Sequence, residues 1–341
     1  MFKSLLQVKW SLGLTIAAIV WATIFINPAA GLTMIVLIAI EVAFSFDNAV
    51  VNAKILEHMS RIWQQIFLTV GMLIAVFGMR LVFPILIVAI TAGLSFGTVI
   101  DLALNDADQY SHYLELAHPS ISAFGGAFLL TLGLYFLFDK HRKEKWWTSV
   151  ETFFQKFAGH WWLAPFIALL IIALIAAIPA NHHQQTTITA GALGVGIYTI
   201  LHQLIVLLDK KQAALTRGAK RTGWAAFGAF LYLELLDASF SFDGVLGAFA
   251  ITNNVILIAV GLGIGALWVR TLTIQLVRHK SLNNYRYLEH GAHYAILALS
   301  LALLGGMIRE VPEVVTGFVG IIIIAGAFQA SRKVRATSAT K

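Results

Sequence analysis

The sequence predicts an all-α polytopic membrane protein, with about ten transmembrane helices in two inverted-topology repeats. Three observations predict it. Of the 341 residues, 59% are hydrophobic and 12% charged, whereas a soluble domain carries about 25% charged residues. Several windows exceed the roughly 18 consecutive apolar residues that mark a bilayer span. An acidic motif in the first half, Glu41-Val-Ala-Phe-Ser-Phe-Asp47, also recurs in the second as Asp237-Ala-Ser-Phe-Ser-Phe-Asp243.

Composition excludes several classes. The strand alternation of an outer-membrane barrel is absent. There are no cysteines, which excludes disulfides and thiolate metal sites. The net charge of +7 comes from Lys and Arg in short runs between apolar segments, where topology explains them better than nucleic-acid binding does.

Spans are expected at about 11–27, 30–55, 66–92, 119–138, 162–179, 187–208, 223–250, 254–277, 290–308 and 313–330. The N-terminal run MFKSLLQVKW could mimic a signal peptide, but without a small-residue cleavage site it reads as the lead into the first span. Loop charge alternates along the chain. Lys54 and Arg61, the run DKHRKEKWW, Lys210 to Arg221, Arg278 to Arg286, and Arg332 to Arg335 follow the even-numbered spans. The intervening loops are acidic, neutral or mixed, as in residues 93–112 with Asp101, Asp106 and Asp108. Positive loops stay inside, so both termini are expected in the cytoplasm and the protein in the plasma (inner) membrane. Trp146-Trp147 and Trp161-Trp162 fit an interfacial aromatic belt. Short amphipathic pieces are expected within 93–118 and 139–160.

The duplication extends beyond the motif. Val70-Gly71 followed by Arg80 matches Val260-Gly261 followed by Arg270, and Tyr113-Leu-Glu115 with His118 matches Tyr287-Leu-Glu289 with His293. Three blocks in one order imply a repeated unit. Spans 2 and 7 then run in opposite directions, and inverted repeats with polar midplane residues characterise many secondary transporters. The chain divides accordingly into an N-terminal span (1–29), a first repeat (30–138), a basic loop with two linking spans (139–222), a second repeat (223–330) and a cytoplasmic tail (331–341).

Glu41, Asp47, Asp237 and Asp243 fall near the middle of their spans, with Glu234 one turn before Asp237. Each charge at that depth costs about 2.5–3.5 kcal/mol on insertion scales, so protons, arginines or a bound cation must offset it. Helical geometry puts Glu41, Ser45, Asn48 and Asn52 on one stripe, with Asp47 about 120° away. Either the helix is broken at Phe-Ser-Phe, freeing carbonyls as ligands, or the acids face different neighbours. The available oxygens, those of the carboxylates with Asn48, Ser45 and Ser241, suit hard divalent cations: Mg²⁺, Ca²⁺ or Mn²⁺. Arg80 and Arg270 are the expected counter-ions or gates. His182 and His183, Glu115 and Glu289 read better as loop and span-end residues. Gly261, Gly263 and Gly265 read as close helix contacts.

Glu41…Ser45-Phe46-Asp47-Asn48 and Asp237…Ser241-Phe242-Asp243-Gly244 resemble the paired motifs of the TerC family of integral membrane proteins, in particular its ten-span branch. The resemblance covers about residues 30–330. It implies membership of the wider LysE-like transporter group and export of a divalent metal, most often Mn²⁺. Gly244 departs from it, standing where the family carries a polar residue.

The expected function is therefore secondary transport: export of a hard divalent cation, Mn²⁺ first on the resemblance, through Glu41, Asp47, Asn48, Glu234, Asp237 and Asp243. The surplus of acids suggests proton antiport. No enzymatic activity and no organic cofactor are expected. The partners are the cation, the bilayer and coupled protons, with no nucleic acid; a homo-oligomer is compatible with the sequence. The alternatives are an intramembrane metal-dependent enzyme, for which Ser45 and Ser241 lack a nearby His, and a scaffold for metalation or quality control of membrane proteins.

Overall fold

The structure is a computed structural model describing residues 2–140, 142, 144–215, 220–249, 251–252, 254–278, 285–309, 311 and 313–339. At 2–7, 43–44, 46–47, 211–215, 239–243, 246–247, 249, 278, 313–314, 316–317 and 335–339 the description covers the backbone alone. The described residues form helices joined by short connections and no named strand.

In chain order the helices are α1 (Phe2–Phe25), α2 (Pro28–Phe44), α3 (Phe46–Glu57), α4 (Arg61–Ile66), α5 (Phe83–Ala92), α6 (Phe96–Asn105), α7 (Ala107–Leu137) and α8 (Thr148–Gln155). They continue with α9 (Leu163–Ala177), α10 (Gln184–Leu215), α11 (Gly223–Phe249), α12 (Val255–Arg278), α13 (Leu288–Gly306) and α14 (Glu313–Ala339). Between α4 and α5 the chain stays helical through two π-helical stretches, Phe67–Gly71 and Ile74–Val82. Six helical segments are long and apolar enough to cross a membrane: Val8–Phe25, Arg61–Ala92, Ala107–Leu137, Gln184–Lys210, Val255–Val277 and Leu288–Gly306. Shorter apolar helices occupy Pro28–Val42, Phe96–Asn105 and Leu163–Ala177. Among the described residues, each of the ten stretches expected to span is helical over most of its length, and six of them are long and apolar enough to cross a membrane.

Local chemistry sets the boundaries. Asn27 caps α2, its Oδ1 accepting from Ala30 N at 2.8 Å, and Pro28 stands at the first helical position, where its missing N–H is no loss. Gly93 ends α5 at φ 65, a left-handed conformation that glycine adopts without penalty. Ser95 then caps α6, its Oγ accepting from Thr98 N at 3.2 Å. The segment 93–118, expected to hold short amphipathic pieces, thus contains α6 and the first turns of α7.

The chain divides into two compact units that cut across the sequence blocks. Unit 1 comprises Met1–Ala49, Arg61–His118 and Leu233–Gln275; unit 2 comprises Val50–Ser60, Pro119–Tyr232 and Leu276–Lys341. In unit 1, Met34, Leu37 and Ile38 of α2 pack with Leu257, Ile258 and Leu262 of α12 and with Ala18 and Ala22 of α1. Glycine lets α2 and α12 approach closely: a Cβ at Gly261 would press on Leu37, and one at Gly265 would overlap the Cβ and Cγ of Glu41. In unit 2, Ala127, Leu130 and Leu134 of α7 pack with Ala164, Ala168 and Ile172 of α9.

Candidate functional site

The motif of the first half straddles a break. Ser45 separates α2 from α3 with φ −97 and ψ 14. The hydrogen-bond ladder nevertheless runs through it, Ser45 N donating to Glu41 O at 3.0 Å and Ala49 N to Ser45 O at 3.2 Å. The kink therefore does not release the Glu41 or Ser45 carbonyl as a ligand. The matching motif of the second half lies in α11, which is continuous from Gly223 to Phe249.

Glu41 is 3% exposed. Its Oε1 accepts from Ser45 Oγ at 2.9 Å and from Arg80 Nη2. Arg80, also buried, sits in the second π-helical stretch, and its Nη1 donates to Ala75 O at 2.5 Å. π-helical turns often mark functional positions; this one places a guanidinium against its own helix's carbonyl and a carboxylate of α2.

The second half repeats the pairing. Arg270 of α12 donates from Nη2 to Asp237 Oδ2 at 3.1 Å and reaches Glu234 Oε1 at 3.4 Å. Its Nη1 donates to Phe67 O at 2.5 Å, and its Cζ lies 4.0 Å from the centroid of the Phe67 ring, adding a cation–π contact. Asn48 of α3 joins the halves, Nδ2 donating to Asp237 Oδ1 at 2.5 Å. All these groups belong to unit 1.

Glu41, Ser45, Asn48, Arg80, Glu234, Asp237 and Arg270 are thus buried, as two arginine–carboxylate pairs, Arg80 with Glu41 and Arg270 with Asp237 and Glu234, the second of which also receives the Asn48 amide. Two buried charges persist in a low-dielectric interior when paired and hydrogen-bonded. The pairing is incomplete: Glu234 Oε2 and the Nε atoms of Arg80 and Arg270 are buried without a hydrogen-bond partner among the described residues. The side chains of Asp47, Ser241 and Asp243 lie outside the described residues. Among the described residues, no group of three His, Asp or Glu side chains could hold a metal ion. Phe67 was missed from the sequence, where nothing distinguishes it from other apolar residues. The Gly265 contact with Glu41 carried a signal, its four-residue spacing from Gly261.

Unit 2 holds a second buried acid that the sequence did not single out. Glu151 of α8 is fully buried. Its Oε1 accepts from Trp146 N and Trp147 N, both at 3.1 Å, and from Tyr294 Oη at 2.9 Å. Its Oε2 accepts from Arg142 at 3.1 Å, and His290 Nε2 lies 3.4 Å away. Arg142 also stacks over Phe136 at 3.7 Å. With this many donors, Glu151 acts as the anchor that fastens the basic loop to α13. Glu289 pairs with Lys54 at 3.2 Å, and His293 stacks on Phe136 at 3.8 Å; these two act as packing and span-end groups.

No curated protein and no solved structure matches the chain. Residues 46–337 match the model of a family described as "Protein of unknown function (DUF475)", and the chain belongs to that family.

Proposed function

We propose that the protein is a secondary transporter that exports a hard divalent cation across the plasma (inner) membrane, with both termini cytoplasmic. The observation that carries this reading is the pair of buried arginine–carboxylate contacts inside apolar helices, Arg80 with Glu41 and Arg270 with Asp237, the latter acid also held by Asn48. Intramembrane ionisable groups are rare and mark ion pathways. The same acid–arginine pairing arising from both matched blocks also supports an inverted repeat with its site where the halves meet.

In the cation-free state the guanidiniums neutralise the acids. Five carboxylates, Glu41, Asp47, Glu234, Asp237 and Asp243, against Arg80 and Arg270 leave three negative charges when all are ionised. Either three protons or one divalent cation with one proton balance them, so the cation replaces two protons, which makes cation–proton exchange the natural coupling. The hard oxygen donors favour Mn²⁺, Ca²⁺ or Mg²⁺ over Cu⁺; Mn²⁺ stands first on the resemblance to the TerC family. No covalent chemistry is assigned to the site.

Purified protein in sealed vesicles tests this reading. Mn²⁺ flux that is accelerated by an opposing proton gradient is the expected result. Tight Cu⁺ binding with no response to Mn²⁺ or Ca²⁺ would overturn the selectivity. Binding without flux would favour an intramembrane enzyme or a metalation scaffold. A second reading is favoured by one observation, the occupation of Glu41 and Asp237 by arginine: the pairs then simply fix helix packing, and neither binding nor flux is seen.

A further inference from the structure

Glu41 and Asp237 hold equivalent places in the duplicated motif, as do Asn48 and Gly244. The fold crosses these equivalences. Asn48 of the first motif donates to Asp237 of the second at 2.5 Å. Gly244 of the second motif faces Glu41 of the first, where a Cβ would stand 3.2 Å from Oε2. Each acid thus meets the residue that follows the last acid of the other motif, yet one acid is capped there and the other is bare.

The consequence is a difference in free oxygens. Asp237 has both oxygens engaged, Oδ1 by Asn48 and Oδ2 by Arg270. Glu41 receives both its donors, Ser45 and Arg80, on Oε1, and among the described residues no donor reaches Oε2. The stem of Glu41 is seated against the backbone of α12 at Gly265, where any side chain would collide with it. A held stem and an oxygen without a donor among the described residues make a binding position that a cation can occupy without first breaking the Oε1 contacts.

We infer that Glu41 Oε2 is the oxygen through which the site first takes its divalent cation, and that Gly244 is the positioning residue that keeps it open. The inference rests on the transport reading above. The departure from the TerC motif at Gly244 then has a physical role: an asparagine there would cap Glu41 as Asn48 caps Asp237.

The test is Mn²⁺ titration calorimetry on the full-length protein, with thermal unfolding of the same samples. Gly244→Asn should weaken Mn²⁺ binding by about 10–100-fold, the range for residues supporting a metal ligand, without lowering the unfolding temperature. Gly244→Ala, whose single methyl Glu41 can yield to, should retain binding within about tenfold. The shift in unfolding temperature caused by Gly244→Asn should differ between the wild-type and Glu41→Gln backgrounds, because the asparagine acts on Glu41. Wild-type affinity in Gly244→Asn, or the same shift in both backgrounds, would overturn the inference. A wild-type protein that binds none of Mn²⁺, Ca²⁺ and Mg²⁺ would overturn the transport reading instead, and the unfolding comparison would still decide whether position 244 acts on Glu41.

Discussion

Asn48 Nδ2 donates to Asp237 Oδ1 at 2.5 Å, across 189 positions of sequence. The contact ties the broken helix of the first motif to the continuous helix of the second and leaves Asp237 with a donor on each oxygen. Replacing Asn48 by leucine removes one of them. Losing a hydrogen bond to a buried charged group costs about 1.5–3 kcal/mol, so Asn48→Leu should lower the unfolding temperature of the detergent-solubilised protein. Asn48→Asp should lower it further by setting a like charge against Asp237. Unchanged melting in both would mean that the contact contributes nothing to stability.

The Arg80–Glu41 pair gives a sharper comparison. Breaking a buried ion pair by removing one partner costs about 3–5 kcal/mol, because the other charge stays buried and uncompensated. Arg80→Gln alone should therefore destabilise strongly. The double variant Arg80→Gln with Glu41→Gln, which removes both charges, should recover most of that loss. Equal destabilisation in the single and double variants, read by denaturant titration, would show that the charges are not coupled.

Asp47 shares α3 with Asn48, and Asp243 shares α11 with the paired acids Glu234 and Asp237. If they supply the negative charge that the cation neutralises, Asp47→Asn and Asp243→Asn should each abolish Mn²⁺ flux in vesicles while leaving a folded, monodisperse protein. Wild-type flux in both variants would remove them from the site.

Cation and protons compete for the same carboxylate oxygens. Protons and cation are thus linked, so affinity for Mn²⁺ should fall as the pH is lowered. Binding should also release protons, detected as a difference in apparent heat between two buffers of unlike ionisation enthalpy. Flat affinity with no proton release would point to acids that stay ionised against Arg80 and Arg270, and antiport through this site would be the wrong mechanism.

Glu151 offers a prediction independent of transport. Its two oxygens hold Arg142, Tyr294 and the backbone N–H groups of Trp146 and Trp147. Glu151→Ala would strand those donors, at a cost of about 3–5 kcal/mol for the broken ion pair. The loop should then loosen, and trypsin should cut at Lys140, Lys145 or Lys156 faster than in wild type. An unchanged digestion pattern would show that the loop is held by other contacts.

The helical class and the position of each apolar segment were legible because burial in lipid imposes long apolar runs that composition reports directly. The short amphipathic pieces were legible as segments, α6 within 93–118 and α8 within 139–160, but not in their bounds. A break at Phe-Ser-Phe was one of two readings the sequence allowed; that only the first motif breaks was not legible, since the two are identical from Phe to Asp and yet one helix breaks and the other continues. Glu151 was hidden for another reason. A lone acid in a basic loop looks solvated until folding brings Tyr294 and His290, more than a hundred residues away, against it.

The sequence by itself determined that this chain is apolar and helical, that it carries a duplicated acidic motif, and that two arginines recur in step with it. These are properties of residue type and spacing, which survive without any contact being known. Only the tertiary structure decided which groups meet. Helix packing at Gly261 and Gly265 brings α2 against α12 closely enough to seat Glu41 on the helix that bears Arg270, while Arg80 reaches Glu41 from the π-helical segment. The same packing sets Asn48 against Asp237 and leaves Gly244 against Glu41. That crossed pairing depends on the approach of segments nearly 200 residues apart, a distance at which side-chain contact is fixed by the fold and not by local pattern.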